Sequence, residues 1–385
     1  MDGHLVVGED YVSQRKYLCR PNLLCPCSYN FVFCVPVEDY GKNVVPGEIR
    51  DQRKYTKWFT ISIHADGPGE LYTREKPLTS FWDGKLYDVR GFAALGSHVY
   101  DFSGPTFPNS LDVTHHGGCS LDPVCPMICP RSRLRNLVID GKIYVFSGHR
   151  EHYLSKEDIP PYAGWGEVFD PENGQWEALP DPPYVSSFTI MYAALENPNR
   201  ILVGFHVPDT HYCAMLYTYN VQNRSWKILS PEPKLLPSKY SVMSRQRTVT
   251  VHNTLYWVSR IYEKIFLIAY DLDLDMWFEE SLMGLGLFGH TSPFLFHLEE
   301  QRFCLFQTST SDDYDDDDDD DNDYEDLPSD ADLHCVAFDI SHMPGEKRLG
   351  ISLAWEQKYK VDCSYVITDC LLLPEIEQEE LLEAN

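Results

Sequence analysis

The sequence predicts an all-β fold, a β-propeller in which six four-stranded sheets stand around a central axis. Three observations support this prediction. Short apolar runs separated by turn residues recur along the chain, one unit repeats about every fifty residues, and strand patterns without partners remain at both ends. Repetition of a four-stranded unit at this spacing is typical of propeller blades. The repeat therefore predicts one domain, although 385 residues would suggest two or three by length alone.

The repeat is clearest in three segments that align without gaps: GEVFDPENGQW, LYTYNVQNRSW and LIAYDLDLDMW. In each of them an aromatic residue precedes an Asp or Asn, and a Trp follows six positions later. The pairs are Asp170 with Trp176, Asn220 with Trp226, and Asp271 with Trp277. A short Asp or Asn side chain favours a tight turn because it accepts hydrogen bonds from nearby backbone amides. The Trp needs an apolar neighbour, which predicts a strand that packs on an adjacent sheet.

A second hairpin precedes each pair, so each unit is predicted to contain four short strands, with turns at Asp140-Gly141, at 197–199 and near Asn253. Looser copies flank these three units. GFAALGSHVYDFSG begins one before them, and FLFHLEEQRFCLF with LHCVAFDIS continues the pattern after them. In this last copy Asp339 and Trp355 are the expected pair, although 16 positions separate them and an acidic run interrupts the unit.

The two chain ends are predicted to complete the sixth blade together. NFVFCVPV, KWFTISI and ELYTREKPL give three strands without an inner partner, and SYVITDCLLL gives a single strand at the other end. Their pairing removes two open sheet edges that would otherwise promote aggregation. We therefore assign 1–27 to an N-terminal arm, 28–374 to the propeller with an acidic, disordered insertion at 311–332, and 375–385 to an acidic tail.

IDGKIYVFSG followed by EVFDPENGQWEALP resembles a kelch repeat of the plant type. That family usually ends its second strand with Gly-Gly, where this chain has Ser147-Gly148 and Ser103-Gly104. The resemblance implies a kelch-type propeller that acts as a protein-interaction module. In plants this repeat commonly follows an F-box, which makes the protein a substrate receptor of a ubiquitin ligase. About 27 residues precede the first predicted strand, too few for a three-helix F-box, so recruitment of a Skp-type adaptor stays open.

The chain is strongly acidic, with 59 Asp and Glu against 32 Lys and Arg and a formal net charge of −27. Fourteen of the acids lie between Asp312 and Asp332. Because this charge repels phosphate groups, we expect no nucleic acid among the partners. Two interpretations of the acidic run stay open: a disordered insertion that keeps the protein soluble, or a binding element for a basic protein segment.

Localisation to the cytoplasm or nucleus is predicted from two absences and from the cysteines. No apolar run approaches the roughly 18 residues that span a bilayer, so we expect no membrane partner. The first residues lack the pattern of a secretory signal. Twelve cysteines are too few for a disulfide scaffold, and several lie in apolar strand-like runs as reduced, buried thiols would.

One end of the propeller is predicted to bind the partner. The loops between the second and third strands of each blade share this end with the linkers between blades, and loops on a rigid scaffold commonly carry function. Aromatic and Arg side chains, which anchor many protein interfaces, are frequent in these loops. The candidates are His149, Arg150, His152, Tyr153, Trp165, His211, Tyr212, Arg260 and Tyr262.

We expect no metal, no cofactor and no catalytic residues. Two groups of potential ligands lack the Cys-x-x-Cys pairs typical of structural zinc, namely His115, His116, Cys119, Cys125 and Cys129, and Cys25, Cys27 and Cys34. The alternative function is a kelch-type metalloenzyme or a specifier protein that acts on a small molecule. The iron pattern of the specifiers, ExxxDxxxH, does not occur: Glu177 and Asp181 fit it, but Val185 takes the place of the His.

Overall fold

The structure is a computed structural model, and its described residues are strands almost throughout. It describes residues 28–38, 54–65, 67–68, 78, 80, 82–85, 91–102, 108–113, 121–129, 131–132, 134–146, 149–150, 164–184, 189–195, 199–207, 213–237, 247–262, 264–287, 293–310, 331–343, 345–361, 367 and 369–373. Within these ranges one 3-10 turn, Met283–Leu285, is the only helical element. The prediction of an all-β propeller is confirmed.

We group the described strands, which pair antiparallel within each group, into six blades, numbered 1 to 6. The strands of blades 5 and 6 join into one eight-stranded sheet, and β9 and β12 of blade 3 form a small sheet of their own. Blade 1 contains β1 (Ser28–Glu38), β2 (Lys54–His64), β3 (Gly67–Pro68) and β4 (Trp82–Lys85), and blade 2 contains β5 (Phe92–Leu95), β6 (His98–Asp101), β7 (Asn109–Asp112) and β8 (Leu121–Pro123). Blade 3 contains β9 (Arg131–Ser132), β10 (Arg135–Ile139), β11 (Lys142–Phe146), β12 (His149–Arg150), β13 (Gly166–Asp170) and β14 (Gln175–Ala178). Blade 4 contains β15 (Thr189–Leu195), β16 (Arg200–His206), β17 (Cys213–Asn220), β18 (Ser225–Ile228) and β19 (Lys234–Leu235). Blade 5 contains β20 (Val249–Val251), β21 (Thr254–Ile261), β22 (Lys264–Asp271) and β23 (Met276–Ser281). Blade 6 contains β24 (Phe294–Glu299), β25 (Arg302–Thr310), β26 (Ala331–Met343) and β27 (Arg348–Val361), and the last strand, β28 (Asp369–Leu372), returns to blade 1.

The blades follow one another around an axis. Their innermost strands, in the order β28, β5, β10, β15, β20 and β24, each contact the next, and β24 contacts β28 again. Six clusters of buried apolar residues fill the spaces between neighbouring blades. Between blades 6 and 1, for example, the rings of Phe31 and Phe306 lie 4.7 Å apart. The core is therefore divided among the blade interfaces, as the alternation of apolar residues along the strands requires.

The predicted closure by the two chain ends is confirmed. β28 pairs antiparallel with β1, with Phe31 opposite Leu372 and Cys34 opposite Asp369. β1 in turn pairs with β2 over eleven residues. The innermost strand of blade 1 thus comes from the end of the chain, while its other strands come from the beginning.

The Asp or Asn of each clear repeat holds the outer hairpin of its blade. Asp170 Oδ1 accepts a hydrogen bond from the backbone amide of Glu172 at 3.1 Å, and Asp170 Oδ2 lies 2.6 Å from Lys142 Nζ. Asn220 Oδ1 accepts from the amide of Asn223 at 2.9 Å, as Asp271 Oδ1 does from Leu274. These short side chains thus satisfy the turn amides, which explains the repeated Asp or Asn.

Two repeat tryptophans tie their blade to the preceding one. Trp176 donates its indole N–H to the carbonyl of Cys125 at 2.8 Å, and Trp226 donates to Pro180 at 2.8 Å. Each acceptor follows the outermost strand of the preceding blade. Trp277 is stacked on Tyr270 of its own blade with ring centroids 4.4 Å apart. The repeat spacing therefore encodes contacts between blades as well as turns within them.

Trp355 occupies a different position from these tryptophans. Trp176 lies opposite the aromatic residue that precedes the repeat Asp, but in blade 6 the residue opposite Phe338 is Leu353. A β-bulge at Ala354 shifts the register, so Trp355 pairs with Ala337 and donates its N–H to Ala65 of blade 1 at 2.8 Å. Trp355 thus contacts the following blade, whereas Trp176 and Trp226 contact the preceding one.

Arg247 binds β28, the strand that closes the ring, although Arg247 itself belongs to the linker before blade 5. It precedes the innermost strand of blade 5, yet its Nη1 lies 3.1 Å from Asp369 Oδ1 and its Nη2 lies 3.2 Å from Asp369 Oδ2. The same guanidinium donates to the carbonyls of Cys370 and Phe92, on the innermost strands of blades 1 and 2. These carbonyls lie on sheet edges that no further strand covers in the described residues. Burial raises the pKa of Asp369, and the charge of Arg247 opposes that rise.

Arg247→Ala should destabilise the protein by about 2–3 kcal/mol, because it leaves Asp369 without its counter-charge and two edge carbonyls without donors. The free energy of unfolding in urea measures this effect. Arg348→Ala is the matched control. It removes an arginine paired with Glu280 at 2.8 Å, and that arginine is 59% exposed. Arg348→Ala should lower the free energy of unfolding by less than about 1 kcal/mol. Equal losses in the two variants would show that Arg247 has no special role in closure.

Candidate protein-binding face

The two ends of the propeller carry different connections. We call the linker face the end that carries the connections between second and third strands (39–53, 102–108, 147–165, 207–212, 261–264 and 311–330) and the linkers between blades. We call the hairpin face the opposite end, which carries the turns between first and second strands and between third and fourth strands. Because strands alternate in direction, these sets of connections cannot mix. The partner-binding candidates belong to the connections of the linker face, except Arg260, which lies near the linker-face end of β21.

Loop 147–165 of blade 3 has a defined stem. At its beginning β12 pairs with β9, with His149 opposite Ser132 and Arg150 opposite Arg131. At its end Arg131 donates to the carbonyl of Gly164 at 2.6 Å and to that of Trp165 at 3.0 Å. One arginine therefore lies beside both ends of the longest loop on this face that contains predicted site residues.

Arg131 is held by a buried carboxylate. Its Nε lies 3.3 Å from Glu167 Oε1, and these two side chains are only 4% and 2% exposed. Glu167 also accepts hydrogen bonds from the backbone amides of Ile128 at 2.7 Å and Cys129 at 3.0 Å. The acceptor capacity of the carboxylate is thus well used, as a buried charge requires. The network fixes the linker 124–132 against blade 3 and so positions the stem of the loop.

Trp165 is a core residue, which corrects the prediction that it lies on the binding surface. Its side chain is 6% exposed, stacks on Phe146 with centroids 4.7 Å apart, and meets Trp226 of blade 4 edge-on at 5.1 Å. A Cβ at Gly166 would lie 2.9 Å from Phe146 Cβ, so glycine lets the chain enter β13 this close to β11. Trp165 therefore anchors the end of the loop in the space between blades 3 and 4.

The other loop candidates are only partly described. The backbones of His149 and Arg150 are placed by β12, but their side chains lie outside the described part of the structure, as do His152, Tyr153, His211 and Tyr212 altogether. The loop that contains His211 and Tyr212 begins at Val207 and ends at Cys213, and Val207 donates to the carbonyl of Cys213 at 3.1 Å. Next to this stem β19 pairs with β17, with Leu235 opposite Cys213. Their roles in binding stay predictions.

Arg260 and Tyr262 form the tight turn of blade 5 on the linker face. Ile261 pairs with Lys264, so two residues connect β21 and β22. Tyr262 has φ +55° and is 90% exposed, the largest exposure among the exposed large apolar residues described. Arg260 Nε donates to the carbonyl of Tyr262 at 2.7 Å and braces the turn. Both predicted residues are therefore presented at this face.

Sequence reasoning missed three residues that shape the linker face. Leu235 is 69% exposed beside the 207–212 stem. Arg131 and Arg247 hold the loop stem and the closing strand through partners 36 and 122 positions away. The sequence alone gives no signal for such distant pairs. Leu235 was detectable only as an apolar residue within a Pro-rich linker.

The described residues offer no grouping of three or more His, Cys, Asp or Glu side chains that could hold a metal ion. Of the cysteines in the two sequence groups, Cys125 is exposed while Cys34 and Cys129 are buried. The structure does not describe Cys25, Cys27, His115, His116 or Cys119.

The described part of the chain contains no helix with the length and hydropathy that a membrane span requires.

Blade 6 carries a shallow groove of about 410 Å³ on its outer strands, lined by Asp332, Glu356, Gln357, Lys358, Tyr359 and Lys360. On the strand next to it lies His334, whose Nε2 is 3.7 Å from Glu356 Oε2 and whose side chain is 9% exposed. Burial and the nearby charge of Lys358 lower the pKa of His334, while Glu356 opposes this effect. The groove is open to solvent, and two of its lining residues, Lys360 and Asp332, form an ion pair at 2.8 Å.

Comparison with known proteins agrees with this architecture. A family model described as the kelch motif matches residues 130–183, the segment that contains Arg131, Glu167 and Trp165. This chain therefore contains a kelch motif, which coincides with blade 3. A putative F-box/kelch-repeat protein of Arabidopsis thaliana is 34% identical over 133 residues, which are 33% of this chain and 39% of the relative. An F-box/kelch-repeat protein of the same plant is 30% identical over 199 residues, which are 50% of this chain and 45% of the relative.

The matches of this chain span less than half the length of these two curated relatives. A further putative F-box/kelch-repeat protein of Arabidopsis thaliana is 27% identical over 159 residues, or 40% of this chain and 39% of the relative. A solved structure of YjhT aligns with 58% of this chain and 76% of its own, with a TM-score of 0.36 and 12% identity. That structural likeness is too weak to carry an argument.

Glu167→Gln should destabilise the protein by about 3 kcal/mol, because Arg131 would keep its charge in a buried site without a carboxylate. Denaturant unfolding measures the loss, and limited proteolysis should show faster cleavage within 147–165. Glu177→Gln, on the neighbouring strand of the same blade and 63% exposed, is the matched control and should change stability by less than about 0.5 kcal/mol. An unchanged cleavage rate in Glu167→Gln would contradict the role assigned to this network.

The free energy of unfolding should fall as the pH decreases from about 7 to 5, in part because of His334. Its pKa in the folded chain lies below the value of 6.5 expected when unfolded, so the unfolded chain binds more protons in this range. His334→Gln should remove this part of the pH dependence. Urea unfolding at several pH values measures it, with His252→Gln as the control because His252 is exposed. A slope that is the same in both variants would rule out His334 as its source.

Proposed function

We propose that this chain is a protein-interaction scaffold that binds its partner on the linker face. The observation that carries the proposal is the way this face is built. A buried ion pair and an aromatic anchor hold the stem of loop 147–165. A rigid stem for a connection whose sequence contains His, Arg and Tyr residues favours recognition, because preorganisation lowers the entropy lost on binding.

Charge supports the same face. Thr310 pairs with Ala331 at the end of β25 and β26, so the segment with fourteen acids between Asp312 and Asp332 is attached to blade 6 at the linker face. A basic segment in the partner would be attracted to this end of the propeller, and the attraction would speed association at low salt. Nucleic acid is disfavoured by the same net charge of −27.

A second, more specific role is substrate recognition in a ubiquitin ligase. The relatives named F-box/kelch-repeat proteins support it, although the matches span less than half of their length. Co-purification of a Skp-type adaptor or a cullin with the full protein would favour this role. Partners recovered without either component would favour a scaffold that acts independently of a ligase.

Exchange of 151–163 for a Gly-Ser segment of equal length tests the binding face. Because Arg131, Glu167 and Trp165 remain, the propeller should keep its stability, whereas recovery of the partner in affinity purification should fall at least tenfold. Leu274→Ser is the control, since Leu274 is 53% exposed on the hairpin face. Loss of the partner in the control alone would place binding on the hairpin face and refute the proposal.

A further inference from the structure

The tight turn of blade 5 combines backbone strain with exposure of a large aromatic ring. Tyr262 has φ +55°, a left-handed conformation that favours Gly, Asn and Asp and costs other residues stability. Two-residue hairpin turns with positive φ are dominated by Asn-Gly and similar pairs for this reason. The ring is 90% exposed, so it gains almost nothing from packing within the chain. Neither folding nor solubility accounts for Tyr at this position.

Tyr262 differs in side-chain type and in position from the other described residues with positive φ. Besides Tyr262, the described non-glycine residues in this conformation are Asp140, Arg224, His252, Asp275, Glu300 and Lys347, all polar or charged and all in turns of the hairpin face. Tyr262 is the only Phe, Tyr or Trp among these described residues and the only one of them on the linker face. The chain therefore presents one large ring, in a strained turn, on the face proposed to bind a partner.

The charged residues beside Tyr262 indicate the chemistry of the partner surface that would fit it. Arg260 and the exposed Lys264 flank Tyr262, with Glu263 as the single acid between them, so this stretch is locally cationic in a chain of net charge −27. A ring that projects from a rigid turn fits an apolar socket, and cations beside it fit carboxylates at the rim of that socket. Two residues connect β21 and β22 here, the shortest of the connections between second and third strands.

We propose that Tyr262 is an anchor residue of the linker face, inserted into an apolar socket of the partner protein that is bordered by carboxylates. This inference rests on the proposed function. Tyr is among the residues that dominate binding energy when buried at the centre of an interface. The strain at Tyr262 persists because recognition, and not the stability of the propeller, requires an aromatic side chain there.

The first test needs only the purified protein. Tyr262→Asn should raise Tm by about 1–2 °C, because Asn adopts the left-handed conformation at lower cost. His252→Asn is the matched control: it has φ +54° in the turn at the other end of β21, about 25 Å away along the strand. It should raise Tm by a similar amount. A Tm that falls in Tyr262→Asn would show that the ring stabilises the propeller and would overturn the proposal.

The second test identifies and measures the partner. Benzoylphenylalanine at position 262, photoactivated in cell extract, should crosslink a discrete protein that the same residue at position 252 does not. The captured protein, once purified, should bind the wild type and His252→Asn with equal Kd, and Tyr262→Asn at least tenfold more weakly. Lys264→Glu should weaken binding at least fivefold at low salt, and Lys264→Arg should leave it unchanged.

Four results of the second test would also overturn the inference: no crosslink at position 262, a crosslink to a second copy of this chain, equal affinity for Tyr262→Asn, or tighter binding of Lys264→Glu. The proposed function can survive each of them. If exchange of 151–163 still removes the partner while Tyr262→Asn does not, the linker face binds through blade 3 and Tyr262 is no anchor.

Discussion

The fold depends on a short stretch of strand pairing, between β28 and β1, which we call the seam of the ring. Four residues of β28 pair with β1 and supply the innermost strand of blade 1 from the other end of the chain. Without this strand, the apolar surfaces of blades 1, 2 and 6 that meet around it would be open to water. Four pairs are few for such a task, since isolated two-stranded ribbons are marginally stable at best. The bidentate contact of Arg247 with Asp369 adds a second attachment for β28, from a residue 122 positions away in the sequence.

The other contacts between blades share a simple geometry. The outer hairpin of one blade rests on the outermost strand of the blade before it, through the indoles of Trp176 and Trp226. Arg224 of the same hairpin in blade 4 reaches Glu177 of blade 3. Such contacts explain why the repeat is recognisable by its Asp or Asn and its Trp, while the innermost strands vary. The visible signature belongs to the part of the blade that touches its neighbour.

Much of the architecture could be predicted from the sequence because its signals are local. The turns at Asp170, Asn220 and Asp271 depend on side chains that bond amides two or three residues away. Trp355 does not occupy the position predicted for the repeat tryptophan, because a β-bulge at Ala354 shifts the register of its strand. The spacing of residues in the sequence does not predict this bulge. Trp165 was expected at the surface because the sequence of its loop is polar, but it directly precedes β13, whose first four residues are all buried. The binding candidates on loops depend on long-range supports such as Arg131 with Glu167, which sequence spacing does not reveal.

One feature of blades 5 and 6 affects how the propeller would move. Glu279 of β23 forms a parallel bridge with Arg348 of β27, so the two blades join into one eight-stranded sheet. The Tyr262 turn and the strands that flank the acidic segment therefore belong to a single hydrogen-bonded unit. If the ring opened at the pairing of β28 with β1, these two of the six blades would move together, and two of the surfaces considered for recognition would keep their mutual geometry.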